Sequence, residues 1–444
     1  MRRAAAPLLA VTVALVLADS AIVTLALPDI LLHLDTTVGQ VAWVLIAYNV
    51  VLGVAAVPAA LVLRRRPHVL TAVGIAVFAL ASAACAVAGS IDVLIAARCA
   101  QALGGALALI GCLLLLVAGR GQRRGLALWI TAGVVGTAAG PVGGGLLTEA
   151  ISWQAIFVVQ VPFALLAVPA ALSIRAPTST HPDRHRPAIR ANVTQALLSA
   201  ALTAALFLLV LLLVNGWRHS PATAAITVSV VPIAALAAGP IARFFRTPPT
   251  VEVAVGCFLV AGGLAGLAIP PSSHLAWTIA PQALVGLGLG LTVDRLTTMA
   301  MEARLPRATH AGWTIAARHL GVVVGLAILT PVFTADLADA EEPAQQAITA
   351  LVLDAPLPPQ SKIEVAQALG SELASQQGTV PDLTRAFDRL DVSPDESAAV
   401  AALEGDLTDQ VERAATLAFR DSFLIGAGLA LLALLTVVVP RRRP

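Results

Sequence analysis

The side chains in this sequence that could do chemistry are few, and they sit where charge is costly. Asp19 stands alone in an apolar run from about Ala4 to Pro28, within LVLADSAIVTLALPDI (15–30). A carboxylate at the centre of a membrane-length helix costs roughly 2.5–3.5 kcal/mol on insertion scales. Arg98 has a similar setting in IAARCAQALGGALALIG (95–111), and Arg318 in AARHLGVVVG (316–325). At 1.5 Å per helical residue, Arg98 lies about 9 Å from Asp92 at one end of its run and Asp19 about 13–14 Å from Pro28 at the matching end. The two charges are therefore expected at similar depth, within about one helical turn. One reading is a static ion pair that locks two helices. The other is a carboxylate that takes up and releases a proton, its affinity set by burial and by the distance of the arginine. Arg318 is read either as snorkelling to the interface or as assisting in the cavity. Asp294, Arg295 and Glu302 are read as interfacial.

Other chemistries are bounded by what is missing. No GxxxxGK[ST] motif occurs, and Lys362 is the sole lysine, so ATP-driven pumping by this chain alone is excluded. GLGLGL (286–291) lacks the strand–turn–helix context of a nucleotide loop. The eight histidines mostly flank apolar runs and show no HExxH spacing, and no Ser/His/Asp set converges. The reading is of a non-enzyme with no metal and no nucleic-acid partner. The four cysteines (Cys85, Cys99, Cys112, Cys257) fall inside apolar runs and read as small buried residues.

The elements that position these groups follow from composition. Of 444 residues, 58% are hydrophobic and 12% charged, with a mean hydropathy of +0.86, against about 25% charged in soluble domains. Apolar runs of about 20 residues, the length that crosses a bilayer as helix, recur twelve times: roughly 5–27, 41–63, 69–89, 91–118, 124–148, 154–174, 193–215, 221–242, 251–270, 275–298, 311–335 and 419–439. The first is read as an uncleaved span rather than a signal peptide. With the N-terminus inside, 20 of the 28 basic residues fall in cytoplasmic segments, the sense of the positive-inside rule, and both termini are cytoplasmic.

Two segments are read as lying outside the membrane. Residues 175–192 are basic and Pro-rich and split the spans six and six. Residues 336–418 are acidic: from Asp336 to Asp421 there are 17 acids against five bases. This segment is expected to form a helical lobe on the outer side, with Ser393 and Pro394 starting a helix and apolar faces at Ile363, Ala366, Leu369 and at Leu383, Phe387, Leu390. The final helix is expected to run from the lobe into the last span. The domains are thus 1–174, a linker 175–192, 193–335, the insertion 336–418, and 419–444.

The halves repeat. PAALVLRRRPHVLTAVG (58–74) aligns with PIARFFRTPPTVEVAVG (240–256), and Gln101-Ala102-Leu103 with Gln282-Ala283-Leu284. Similar halves around a central cavity are a transporter design. In that alignment Ala201 replaces Asp19 and Ile279 replaces Arg98, so the charges belong to one half only. In GVVGTAAGPVGGG (133–145) glycines at spacings of three and four allow close helix approach. Gly136, Gly140, Pro141 and Gly144 are read as a hinge and seal.

Taken together, LADSAIVTLALPDI (17–30), AARCAQALGGALAL (96–109), GTAAGPVGGG (136–145), WQAIFVVQVPFAL (153–165) and AARHLGVVVG (316–325) resemble the major facilitator superfamily, in particular its bacterial multidrug:proton antiporter branch. That resemblance implies an all-α membrane fold of two six-helix halves in pseudo-twofold repeat. It places Asp19 at the branch's first-span acidic position, Arg98 at its proton-relay arginine, and Arg318 in its penultimate-span motif. It implies a proton gradient in place of a cofactor. The expected activity is proton-coupled export of hydrophobic or amphipathic small molecules through a bacterial plasma membrane by a monomer in contact with membrane lipid. Tyr48, Asn49, Gln101 and Gln160 join Arg318 as candidate cavity residues. The sequence departs from the family in several places. The branch usually has fourteen spans, and its sixth-span asparagine is here Gln160. The glycine and aspartate expected before the basic residues of the span 2–3 loop are missing, so gating is expected to differ or weaken. The lobe at 336–418 is additional, a candidate docking point for an extracytoplasmic partner. The alternatives are lipid or metabolite export with hand-off through the lobe, proton-coupled uptake, and a non-transporting scaffold or sensor.

Overall fold

Apolar runs of this length can cross a bilayer only with every backbone N–H and C=O paired within the segment, which imposes helix. The computed structural model describes residues 2–34, 36, 38–177, 186–245, 247–301, 304–375, 383–390 and 395–438. Its helices are α1 (Arg2–His33), α2 (Val38–Leu63), α3 (Pro67–Ala86), α4 (Ile91–Arg120), α5 (Gln122–Ala150), α6 (Ala155–Ser173), α7 (Ile189–Gly216), α8 (Pro221–Ala242), α9 (Pro249–Leu267), α10 (Ala276–Met301), α11 (Arg307–Asp354), α12 (Pro359–Ser375), α13 (Thr384–Phe387) and α14 (Ser397–Val438). All but α12 and α13 are long and apolar enough to span a membrane, which gives twelve spans among the described residues. Part of the linker (178–185), the Ser393-Pro394 helix start, Arg246, Glu302 and the arginine tail lie outside the described residues.

Local chemistry sets the breaks. Pro67 opens α3, where its missing N–H costs nothing. Ser90 caps α4 by accepting from the Val93 amide at 3.4 Å. Gly121 joins α4 to α5 at φ 78°, a conformation glycine adopts without strain. Ser220 caps α8 ahead of Pro221. In α7, Ala204–Leu208 and Leu212–Gly216 wind as π-type turns.

Each half has its own apolar core, around Leu9, Phe78 and Leu109 in the first and Leu208, Val260 and Phe423 in the second. The repeat is visible in the packing. A Cβ on Gly74 would meet the Gly104 carbonyl at 3.0 Å, and one on Gly256 would meet that of Gly288 at 2.8 Å, so α3 seats on α4 as α9 seats on α10. This correspondence corrects the sequence alignment. Gly74 and Gly256 are 182 residues apart, but Gly104 and Gly288 are 184 apart. The counterpart of Arg98 is therefore buried Gln282, not Ile279, because the α9–α10 connection is the longer one. The charge asymmetry survives the correction, since Gln282 is neutral.

The halves meet along two seams. Next to the arginine-rich end, Gly53 lies against Leu320, and Gly312 against the backbone of Ala56 and Val57. There Arg64 Nη2 also donates to Thr309 Oγ1. This α2–α11 seam stands where the sequence lacks the usual loop aspartate. At the opposite end, Gly145 packs against Pro221 and Ala225, and the Glu149 carboxylate accepts from the Ala222 amide at 2.6 Å.

The helices α11 and α14 contain 48 and 42 residues, about 72 and 63 Å at 1.5 Å per residue, against a hydrocarbon core of about 30 Å. Their extensions, with α12 and α13, build the lobe around Ile348, Val352, Leu369, Leu383, Phe387 and Leu407. The lobe core takes Val365 and Leu369 from α12, whereas Ile363 and Ala366 are exposed. The predicted face is offset because two residues of one apolar stripe were matched to the wrong side.

The glycines of α5 divide sharply. A Cβ at Gly136 would meet the Ala14 carbonyl at 2.1 Å, whereas one at Gly143 meets nothing within 4 Å. Gly136→Ala is predicted to destabilise the protein by about 1–3 kcal/mol through overpacking. Gly143→Ala is predicted to be neutral or slightly stabilising, by up to about 1 kcal/mol of helix propensity. Thermal unfolding of the two purified variants in detergent checks the contrast.

Candidate functional site

Asp19 and Arg98 form an ion pair in which neither side chain is exposed. Five helices build it. From α1, Asp19 Oδ2 accepts from Arg98 Nη1 of α4. The other carboxylate oxygen accepts from Gln160 Nε2 of α6 at 2.9 Å and from Gln101 Nε2 of α4 at 3.2 Å. Arg98 also donates to the Gln101 side-chain oxygen at 2.7 Å and to the Val44 carbonyl of α2 at 3.3 Å. Ser82 of α3 accepts from Gln101 at 2.8 Å. The Tyr48 ring lies 4.1 Å beneath the guanidinium, and its hydroxyl donates to the Val16 carbonyl at 3.0 Å. Phe157 offers a second ring face at 5.7 Å. Arg98 Nη2 is buried without a hydrogen-bond partner, so the pair is nearly but not wholly satisfied.

The glycine run of α5 packs against α1, the helix that carries Asp19. Gly136, Gly140 and Gly144 rest on the Ala14, Ala18 and Ile22 carbonyls of α1, successive turns on one flank of the helix that carries Asp19. Pro141 sits inside the unbroken α5 and lines the cavity. Three of the expected hinge and seal residues, Gly136, Gly140 and Gly144, thus form a contact by which α5 holds α1.

A cavity of about 660 Å³ lies between the halves. Its walls are mainly apolar, with polar groups from Ser20 and Asn49 of the first half and Gln195, Ser199, Arg318 and His319 of the second. It reaches Glu252 and Arg295 at the arginine-rich end. Two of the expected cavity residues, Asn49 and Arg318, line it. Tyr48, Gln101 and Gln160 do not; they are fully buried around the ion pair, because the carboxylate and guanidinium need their hydrogen bonds and ring face more than the cavity does. Asp19 itself is one residue from the cavity wall at Ser20. Arg318 does not snorkel to an interface. Its Nη2 donates to Thr137 Oγ1 of α5 at 2.7 Å, across the halves.

Three features escaped the sequence reading. His319 Nδ1 meets Asn49 Oδ1 at 2.7 Å, a further link between halves. Thr137 was passed over within the glycine motif. Glu252, 4% exposed, holds Arg295 through both oxygens, so Arg295 belongs to a partly buried pair rather than to the interface alone. A buried glutamate inside an apolar run (VEVAVGCFLV) was the available signal for that pair.

Two six-span halves around a central, mostly apolar cavity, with an ion pair sealed in one wall, define a membrane transporter scaffold. A family model described as Major Facilitator Superfamily matches residues 9–326, and the chain belongs to that superfamily. It is 39% identical over 169 residues to the Tetracenomycin C resistance and export protein of Streptomyces glaucescens, covering 37% of this chain and 31% of that one. It is 32% identical over 224 residues to the Methylenomycin A resistance protein of Streptomyces coelicolor (49% and 46% covered). It is 35% identical over 158 residues to the Multidrug resistance protein Stp of Mycobacterium tuberculosis (34% and 29%). These alignments span less than half the length of each relative. The crystal structure of a bacterial homologue of the human lysosomal transporter Spinster, inward-facing and unoccupied, superposes with a TM-score of 0.62 over 98% of both chains at 15% identity, a likeness of fold alone.

The burial of the pair makes a double-mutant prediction. Removing one partner leaves an uncompensated buried charge, at about 3–5 kcal/mol, whereas replacing both with apolar groups is often neutral. Arg98→Leu should unfold at clearly lower denaturant than Asp19→Leu/Arg98→Leu. A double variant no more stable than the single one would show that the pair's other hydrogen bonds, not its charges, dominate.

Proposed function

We propose that this protein exports hydrophobic or amphipathic small molecules across a bacterial plasma membrane in exchange for protons, and that Asp19 carries the proton. The observation that carries the proposal is the sealed Asp19–Arg98 pair one residue from a largely apolar cavity. A proton arriving at Asp19 removes the charge that holds Arg98 to α1. The guanidinium then keeps the Gln101 oxygen, the Val44 carbonyl and the rings of Tyr48 and Phe157. It therefore does not have to leave α4 when the pair breaks. Asp19 in turn keeps hydrogen bonds from Gln101 and Gln160 in either protonation state. The pair can open and close without stranding either partner, which a coupling element requires and a static lock does not.

Export is favoured over proton-coupled uptake by the relatives, three of which are named for resistance or export. The apolar cavity supports a hydrophobic substrate. The positive-inside distribution supports cytoplasmic termini, with the lobe outside. The retained ion pair and the open cavity speak against a scaffold that no longer transports.

Efflux of a panel of hydrophobic compounds from a pump-deficient bacterial host tests the reading, comparing wild type with Asp19→Asn at matched expression, with and without an ionophore. Gradient-dependent efflux should fall at least about tenfold in the variant, since one pH unit of gradient is worth about 1.4 kcal/mol per coupled proton. Equal efflux by both proteins would make Asp19 structural and end the coupling proposal.

A further inference from the structure

Besides the Glu252–Arg295 pair, two charged residues line the cavity: Asp294, exposed and next in sequence to Arg295, and Arg318 of α11. Arg318 is held at one nitrogen by Thr137 Oγ1, and among the described residues it makes no ion pair. The Thr137 hydroxyl spends its own proton on the Gly133 carbonyl at 2.9 Å, so it fixes the guanidinium without neutralising it. Arg98 and Arg295, by contrast, each have a carboxylate.

Next to Arg318 stands an acceptor. Asn49 Nδ2 donates to the Leu45 carbonyl at 2.9 Å, which turns Asn49 Oδ1 toward His319. The Nδ1 of His319 must then carry the hydrogen. Its Nε2 is left without a hydrogen-bond partner, sealed inside the wall rather than open to the cavity, and the side-chain oxygen of Gln195, another lining residue, is buried in the same way. The accessible polar feature here is therefore Arg318, a fixed positive donor on a largely apolar wall, which complements an electron-rich oxygen that can carry negative charge.

We infer that the cavity selects apolar molecules bearing a weakly acidic oxygen, a carboxyl or phenol, whose oxygen lies on Arg318. This inference rests on the proposed binding of small apolar molecules in the cavity and names their chemical class. In the bound state the head group lies where Arg318 of α11 meets Thr137 of α5, a contact between the halves.

The test uses purified full-length protein and two probes, pyrene-1-butyric acid and its methyl ester, with binding followed by energy transfer from tryptophan. The readout is the ratio of the ester's Kd to the acid's. Wild type should favour the acid by at least about tenfold, the scale of one charge-assisted hydrogen bond. The ratio should fall to within about twofold of one in Arg318→Gln, and should persist in Arg318→Lys, which keeps the charge. Thr137→Val, which removes the orienting hydroxyl, should lower the ratio about threefold, and it decides the matter if Arg318→Gln elutes aggregated. A wild-type ratio near one, or a full ratio in Arg318→Gln, overturns the acidic-head assignment while leaving the apolar cavity in place. Failure of wild type to bind either probe overturns the cavity reading and this inference with it.

Discussion

A carboxylate and a guanidinium removed from water in a hydrocarbon-bound bundle are tolerable only if nearly every lone pair and N–H they present is met. Asp19 and Arg98 impose that demand, and much of the first half answers it. Gln101 and Gln160 close on the carboxylate, Tyr48 and Phe157 cover the guanidinium, and Val44 lends a carbonyl. Partners from α1, α2, α3, α4 and α6 converge on the pair, and close glycine crossings hold two of these helices, α1 and α3, against their neighbours. The α5 glycines bring it onto the carbonyls of α1, and the Gly74–Gly104 crossing does the same for α3 and α4. Polar chemistry and small-residue packing are thus one design problem solved twice along the same helices.

The pair was legible in the sequence because its members are lone charges in apolar runs, and because depth can be counted along a helix from the flanking polar residues. The companions were harder to place. Gln101 and Gln160 looked like cavity residues, since an uncharged amide in a span gives no sign of which way it faces. His319 was hidden beside the louder Arg318, and its position on the seam depends on how α2 meets α11, which no single helix encodes. The repeat was readable as motif, but its register was not. Matching Gln101-Ala102-Leu103 to Gln282-Ala283-Leu284 follows letters, whereas the glycine crossings follow backbone contact, and a longer α9–α10 connection separates the two. In the lobe, alanine-rich helices carry weak apolar contrast, so the face through Val365 was missed in favour of Ile363.

The two halves divide labour unevenly. The first holds its charge pair sealed in the protein interior, one residue behind the cavity wall. The second places Glu252 and Arg295 at the cavity's arginine-rich mouth and leaves Arg318 and His319 on its wall. A symmetric scaffold therefore presents one wall built around a buried ion pair and an opposite wall carrying open polar contacts, with the apolar space between them.

The long helices α11 and α14 add a mechanical consequence. Ile348 and Val352 at the far end of α11 share a core with Leu407 and Val411 of α14, and within the span region Phe333 stacks on Phe419 at 4.3 Å. Two rods clamped at two levels cannot slide past one another; they behave as one stiff beam. Arg318 and His319 sit near the foot of that beam and the lobe at its head. A tilt of a few degrees at the cavity therefore sweeps the lobe through several ångströms, which makes the acidic cap a pointer coupled to the position of the wall.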